Sequence, residues 1–542
     1  MHARSPASLP SGVATALDMA RTACLRRLDE PLIHYFGTTL TGRDVATASD
    51  ALASALAARG VGQGDRVALY LQNIPQFPIG VIAAWKLGAI AVPVNPMLRE
   101  RELAHVLADS GATAIISLEH LHEDVTRHVL AGTAVRTAIT TSPLDHLDER
   151  PGMLADVERR PQDSAEDFAE LVAAHAGEHP ERVHVRSGDV ASLVYTSGTT
   201  GPPKGAMNLH RNVTFASTVW RDWPQLGEDD VNLVIAPLFH ITGLIGGLGV
   251  SLAASAPLVL AYRFDPATTL ELVARRRPTF TVAAITAYQA LMRAPGFDAT
   301  DFGCLRAAYT GGAPVAPAVA VAWRDATGVR LHNAYGLTET TSPLTLTPLG
   351  ADGPVDPASG ALSVGVPVYD SRVEILGDDG AALPSGEVGE IVASGPQVVP
   401  GYWRKPDETA TALPDGRLRT GDVGYVDGDG WVYLVDRRKD LIIASGYKVW
   451  PREVEDILYT HTAVREAAVV GIPDEYRGET VKAYVCLRPG AGATPDDLIA
   501  HCRERMAAYK YPRTVELVDE LPQSPAGKLL RRALRARTAT EA

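Results

Sequence analysis

Tyr195-Thr196-Ser197-Gly198-Thr199-Thr200-Gly201-Pro202-Pro203-Lys204-Gly205 follows directly on the apolar run Val190-Ala191-Ser192-Leu193-Val194. That run carries two β-branched residues and reads as a buried strand. What comes next cannot continue it. Four hydroxyl residues, Thr196, Ser197, Thr199 and Thr200, lie among Gly198, Gly201 and Gly205, and two prolines stiffen the exit. Glycines let backbone N–H groups turn toward an anion, hydroxyls add donors, and Lys204 adds positive charge. The composition is that of a loop that holds polyphosphate. It is not the Walker loop, which needs Gly-Lys-Ser/Thr after four intervening residues; here Lys204 follows Pro203 and precedes Gly205.

Upstream of the loop, Val13, Leu17, Ala20, Cys24 and Leu28 recur at helical spacing, and Thr41 precedes a second helix through Leu52 and Leu56 that ends near Gly60. Residues 66–71, 90–94 and 113–116 read as strands, residues 78–87 as a helix, and a further helix starts at 103–107. Strands alternating with helices at this spacing predict a parallel sheet covered on both faces, an α/β fold. Residues 142–181 are polar and acidic without strong periodicity and read as a surface excursion with no assigned function.

At 542 residues the chain exceeds one ordinary core, so two or more domains are expected. Hydrophobic content of 46% with 21% charged residues fits a globular chain. The net charge of −13 argues against nucleic acid as a partner. Cys24, Cys304, Cys486 and Cys502 have no paired or zinc-like spacing and fit reduced thiols. No signal pattern, membrane-length apolar run or peroxisomal terminus is present, so the cytoplasm is the expected compartment.

Downstream, an apolar strand expected over 231–237 ends at Pro237 and delivers His240 to its carboxyl end, where open α/β sheets place ligands. Gly243, Gly246, Gly247 and Gly249 follow on an expected helix, where they serve either a roomy pocket or close helix packing. Tyr309-Thr310-Gly311-Gly312-Ala313-Pro314 is a strand turning through two glycines, which can let a flat base approach the backbone. Asn333-Ala334-Tyr335-Gly336-Leu337-Thr338-Glu339 comes next, and then short β-like segments at 373–375, 388–392 and 431–435 that predict a small barrel-like subdomain. This region carries Gly401-Tyr402-Trp403 and Arg419-Thr420-Gly421-Asp422. The charged cluster Asp436-Arg437-Arg438-Lys439-Asp440 reads as a domain boundary, and Pro451 opens a helix with Val454, Ile457 and Leu458 on one face. Strands at 467–470 and 481–486 and a helix over 495–506 complete a compact α+β unit, closed by Ser524-Pro525-Ala526-Gly527-Lys528.

These motifs, in this order and over nearly the whole chain, resemble the AMP-forming acyl-CoA synthetase, luciferase and peptide-synthetase adenylation superfamily. The resemblance implies a large N-terminal domain of doubly wound sheets with a barrel-like subdomain, over 1–436, and a small mobile C-terminal domain, over 437–542, hinged near Lys439. It implies that Thr196 to Gly201 and Lys204 hold the leaving phosphates, and that Gly311 to Pro314 and Asn333 to Gly336 line the nucleotide, with Tyr335 stacked on adenine. Thr338 would bond the α-phosphate, Glu339 would hold Mg²⁺, Asp422 the ribose hydroxyls, and Arg437 the ribose or phosphate. His240 would lie near the acyl carboxylate, and Lys528 would act in adenylation. After domain rotation the Gly446 segment would replace the lysine loop.

The implied reaction converts a carboxylic acid, ATP and CoA into acyl-CoA, AMP and pyrophosphate through an acyl-adenylate. Ile443 and Lys448 stand where luciferases and plant hydroxycinnamate ligases carry lysine and glutamine, so the pattern is more like bacterial fatty-acyl-CoA ligases. A medium or long fatty acid, or an aryl acid, is the expected substrate. Transfer of the adenylate to a carrier protein, an amine or another nucleophile is the alternative, and a non-catalytic nucleotide-binding relative is a third reading. A homodimer is compatible with the sequence.

Overall fold

The computed structural model describes residues 13–541 other than 197–201, 313–314, 357–360, 438–439, 441, 445–446, 475–477, 507–508 and 524–528. Its N-terminal part is built on two large sheets. Among the described residues one has seven strands, in the order Glu166–Asp167, Thr137–Thr141, Ala114–Leu118, Arg66–Tyr70, Ile90–Pro93, Val190–Tyr195 and Gly205–Leu209. All its neighbours run parallel except the last two, which pair antiparallel with Tyr195 opposite Gly205. The hydroxyl- and glycine-rich stretch is therefore the loop of an edge hairpin.

The second sheet has nine strands, with a parallel centre that includes Leu331–Tyr335, Ala307–Gly311, Phe280–Ala283, Asn232–Leu233 and Leu258–Leu260. Apolar residues of both sheets, such as Leu69, Ile116, Leu258 and Phe280, join one core. The helix Gln76–Lys86 is buried on every face, which suits its almost continuous apolar sequence. Its one ammonium, on Lys86, is neutralised by Asp50 at 2.6 Å and bonded to Ser49 and the Ala46 carbonyl.

Local sequence explains several helix starts. Thr41 and Asp44 form a reciprocal cap at the start of Gly42–Ala58. Thr15 caps Ala16–Arg26 and so sets its start after Val13, and the helix stops at Arg26, short of Leu28. Two expectations change. Residues 142–181 are no mere excursion: Glu166–Asp167 adds an edge strand, Phe168 and Leu171 of the next helix are buried, and Arg159 ties Glu119, Asp145 and Asp167 together. The strand expected over 231–237 is only Asn232–Leu233, because the chain beyond it is drawn aside by Asn73.

The expected barrel-like unit takes the form of a four-stranded antiparallel meander, Arg372–Leu376, Gly389–Ser394, Leu418–Val426 and Val432–Arg437. The last hundred or so residues form cores of their own around the long strands Val464–Asp474 and Gly478–Leu487. Pro451 stands in the first turn of Pro451–Tyr459, as its missing N–H favours.

Candidate active site

One seven-residue segment, from Tyr335 to Thr341, brings most of the site together. Tyr335 ends the strand Leu331–Tyr335, which runs parallel to Ala307–Gly311 with Gly311 beside Ala334. Gly312 turns away with φ +82°. Gly336 has to be glycine, because a Cβ there would overlap the Ser342 carbonyl. A short 3₁₀ turn, Thr338–Thr340, then carries Thr338 and Glu339. Thr341 and Ser342 follow in the left-handed region, at φ +47° and +88°. Neighbours over-determine this strain: Asn208 Nδ2 donates to Thr338 O and Thr341 Oγ1, Thr341 Oγ1 donates to Gln397 O, and Trp220 Nε1 donates to Ser342 Oγ.

Tyr335 is buried, and its hydroxyl donates to Asp422 Oδ2 at 2.8 Å. Asp422 is 7% exposed and lies within the strand Leu418–Val426, directly opposite Arg437 in register. The aromatic face, the acidic residue and the arginine position thus follow one another across two sheets. Asn333 is buried with its amide donating to Ser363 O at 3.2 Å, which ties the strand to the meander side of the site.

Glu339 lies at the other end of the segment. Its Oε1 accepts from the Tyr402 hydroxyl at 2.6 Å, and its backbone carbonyl accepts from Val399 N. Lys204 Nζ stands 5.2 Å from the centre of the Tyr402 ring. Burial, and then the Glu339 charge, push the Tyr402 phenol well above its ordinary pKa, so it stays a donor. The base of the hairpin loop is anchored from several sides. Thr196 N donates to Lys204 O, Trp403 N to Gly205 O, and His105 Nε2 to Pro203 O. The Tyr195 hydroxyl donates to Asp109, which also pairs with Lys405 at 3.0 Å.

His240 caps the short turn Ile241–Gly243, with Nδ1 accepting from Thr242 N at 3.3 Å. The loop holding His240 is set by Asn73, whose side chain donates to Val234 O and Ala236 O and accepts from Leu238 N. The glycines after His240 serve packing: a Cβ at Gly246 would come 2.7 Å from Val282 Cγ1, and one at Gly249 would strike Ser217 Oγ.

The segment therefore links Tyr335 to Asp422 directly and Glu339 to Lys204 through Tyr402, with Gly311 beside Ala334 in the strand register. Ser197, Gly198, Thr199, Thr200, Gly201, Ala313, Pro314, Lys439, Gly446 and Lys528 lie outside the described residues, as does the side chain of Arg437. Tyr402, Asn73 and Asn208 carry no role in the sequence reading. Asn73 was the most accessible of these, a polar residue just past a strand's carboxyl end. Tyr402 stands in Gly401-Tyr402-Trp403, but nothing local gives it or Asn208 a role, because their partners are far away in the chain.

Glu339 is also chemically suited to Mg²⁺. That hard cation takes one or two carboxylates from a protein and the rest of its shell from phosphates and water. Among the described residues no group of three or more His, Cys, Asp or Glu side chains could hold a metal ion.

Comparison with known proteins shows the family of the chain. The AMP-binding enzyme family matches residues 20–403, and the AMP-binding enzyme C-terminal domain matches residues 453–528. A long-chain-fatty-acid–CoA ligase of Yersinia pestis is 36% identical over 554 residues, spanning 98% of this chain and 97% of the relative. A feruloyl-CoA synthase of an Amycolatopsis species is 36% identical over 508 residues, spanning 93% and 95%. The anthranilate CoA ligase AuaEII, solved in complex with anthranoyl-AMP, superposes with a TM-score of 0.88 at 27% identity, covering 98% of this chain and 99% of that one. Matches that run through both parts of the chain make this protein a member of the AMP-binding enzyme family.

Proposed function

We propose that the protein joins a fatty or aryl carboxylic acid to CoA at the expense of ATP, through an acyl-adenylate. An AMP-forming acid–CoA ligation with ATP and CoA as cosubstrates is the reaction class of its family and relatives. The observation that carries the reading to these residues is the Tyr335–Thr341 segment. It carries an aromatic residue bonded to Asp422 and a carboxylate joined through Tyr402 to Lys204, with Thr338 between them in the chain.

In the first half-reaction the substrate carboxylate attacks the α-phosphorus of ATP. An O–P bond forms, the bond to the bridging oxygen breaks, and pyrophosphate leaves. The residues' work is positioning and charge neutralisation. Tyr335 receives the adenine, and Asp422, already oriented by the Tyr335 hydroxyl, accepts from the ribose hydroxyls. Thr338 bonds the α-phosphate, while Lys204 and the hydroxyls of Thr196 to Thr200 hold the departing phosphates. A magnesium ion on Glu339 would neutralise further phosphate charge. His240 serves the acyl carboxylate. In the second half-reaction the CoA thiol sulfur attacks the acyl carbon, a C–S bond forms as the acyl C–O bond breaks, AMP leaves with the electron pair, and the thiol proton is released.

The proposal divides the chain at 436/437 with a hinge near Lys439, so that Lys528 serves adenylation and the Gly446 segment serves thioester formation. The expected partners are small molecules, without nucleic acid, and a homodimer is compatible with this reading. The cytoplasm is the proposed compartment. It suits four free cysteines, three of them buried. No helix among the described residues is long and apolar enough to cross a membrane.

The test is pyrophosphate release across a panel from octanoate and palmitate to benzoate and ferulate, with and without CoA. Release with at least one of these acids and acyl-CoA formation only when CoA is added are expected. Pyrophosphate release without any acyl-CoA, or no release with any acid, overturns the proposal.

A further inference from the structure

Tyr402 belongs to the segment Gly401-Tyr402-Trp403, which lies alongside the second strand of the phosphate hairpin. Met207 N donates to Gly401 O, Trp403 N donates to Gly205 O, and Tyr402 bridges Ala206. Its amide is fixed by Thr409 Oγ1 at 2.9 Å, and that hydroxyl donates in turn to Lys405 O. The side chain is 8% exposed, and its position is therefore set by backbone on both sides. It meets two opposite charges with two different parts of itself. The hydroxyl donates to Glu339 Oε1 at 2.6 Å, a charge-assisted bond at the short end of the range. The ring lies 5.2 Å from the Lys204 ammonium, within reach of a cation–π contact.

A lysine and a carboxylate that both serve phosphates face a simple hazard, since without substrate they can neutralise each other. A phenol engaged with both removes that option. It satisfies one oxygen of the carboxylate, leaves Oε2 for a cation, and keeps the ammonium on a ring face from which phosphate can draw it. We propose that Tyr402 is a positioning residue for the pyrophosphate-releasing half-reaction, holding the Glu339 carboxylate by its hydroxyl and the Lys204 ammonium by its ring. The inference rests on the reading of Glu339 and Lys204 given above.

The test compares wild type, Tyr402→Phe and Tyr402→Leu. Mn²⁺ affinity is read by electron paramagnetic resonance in the presence of α,β-methylene-ATP, which needs no turnover. Tyr402→Phe keeps the ring and loses the hydroxyl, so Mn²⁺ binding should weaken about 10-fold, as loss of a hydrogen bond to a metal-ligating group commonly does. Pyrophosphate release should fall by a similar factor, whereas CoA thioester formation from supplied acyl-AMP stays within about twofold. Tyr402→Leu should add a raised KM for ATP through the loss of the ring beneath Lys204.

Unchanged Mn²⁺ affinity in Tyr402→Phe overturns the inference, and so does an equal loss of both half-reactions, which would mark a merely structural role. If wild type releases no pyrophosphate with any acid, the proposed function fails, but the Mn²⁺ comparison still decides the role of Tyr402.

Discussion

Asn73 does for the loop before His240 what a neighbouring strand would otherwise do. It supplies two donors and one acceptor to the backbone of Val234, Ala236 and Leu238, while its own amide donates to Tyr262 O. It is 3% exposed, so water cannot replace it. Asn73→Ala leaves buried carbonyls and an N–H without partners and should cost about 1–3 kcal/mol in urea denaturation. Turnover should fall with it, as the His240 loop loses its clamp; a stability equal to wild type would show that the loop holds itself. The polar Gln72-Asn73 pair at the end of a strand was visible in the sequence, but the carbonyls it serves are about 160 residues away. The same distance problem hid Tyr402. Asp422 was legible from its motif, whereas its place within a strand facing Tyr335 was not.

At the scale of elements, the turn after His240 shows how local composition can be read two ways. Four glycines in seven residues could leave space or fill it. Here Gly246 and Gly249 let the π-helical turn Leu244–Gly249 press against Val282 and Ser217. Gly246→Ala would put a methyl 2.7 Å from Val282 Cγ1 and should destabilise by about 1–3 kcal/mol through overpacking. A denaturation midpoint at or above wild type would instead mean that spare volume is present. Strands and helices with strong periodicity were legible from sequence, as in Gly42–Ala58 with its Thr41 cap and in Arg66–Tyr70. Less legible was the hairpin, because nothing local says that Gly205–Leu209 turns back against Val190–Tyr195. The edge strand Glu166–Asp167 was invisible for a related reason: two polar residues carry no alternation, and only pairing with Thr140 and its neighbours makes them strand.

For the whole molecule, the proposed mechanism needs two uses of the C-terminal part. Its last helix, Arg531–Glu541, is tied to that part by buried charges. Arg531 meets both carboxylate oxygens of Glu455 at 2.8 Å, and Arg535 meets Asp440 at 3.0 Å. Glu455 also accepts from Val469 N. These ties join Asp440, next to the proposed hinge, to the helix that follows the proposed lysine loop, so the C-terminal part can move as one body. Lys528→Ala should therefore slow acyl-AMP formation by about 100-fold or more while leaving thioester formation from supplied acyl-AMP within a few fold. Measured side by side, an equal loss of both rates would sink the two-conformation reading.

The sequence by itself determined the chemistry on offer and its order. A hydroxyl- and glycine-rich stretch behind a strand, then a histidine, an aromatic–hydroxyl–carboxylate segment, an aspartate and a lysine near the end are properties of short stretches, and short stretches keep their residue types wherever they lie. Only the tertiary structure decided which of these groups act on each other. The contacts of Tyr335 with Asp422, Tyr402 with Glu339 and Lys204, and Asn73 with Ala236 span from about 60 to about 200 residues. Hydrogen bonds and ring contacts reach only a few ångströms, so these pairings exist only after the sheets have packed. Whether a run of glycines opens a pocket or closes a gap is decided in the same way, by the side chains that packing brings against it.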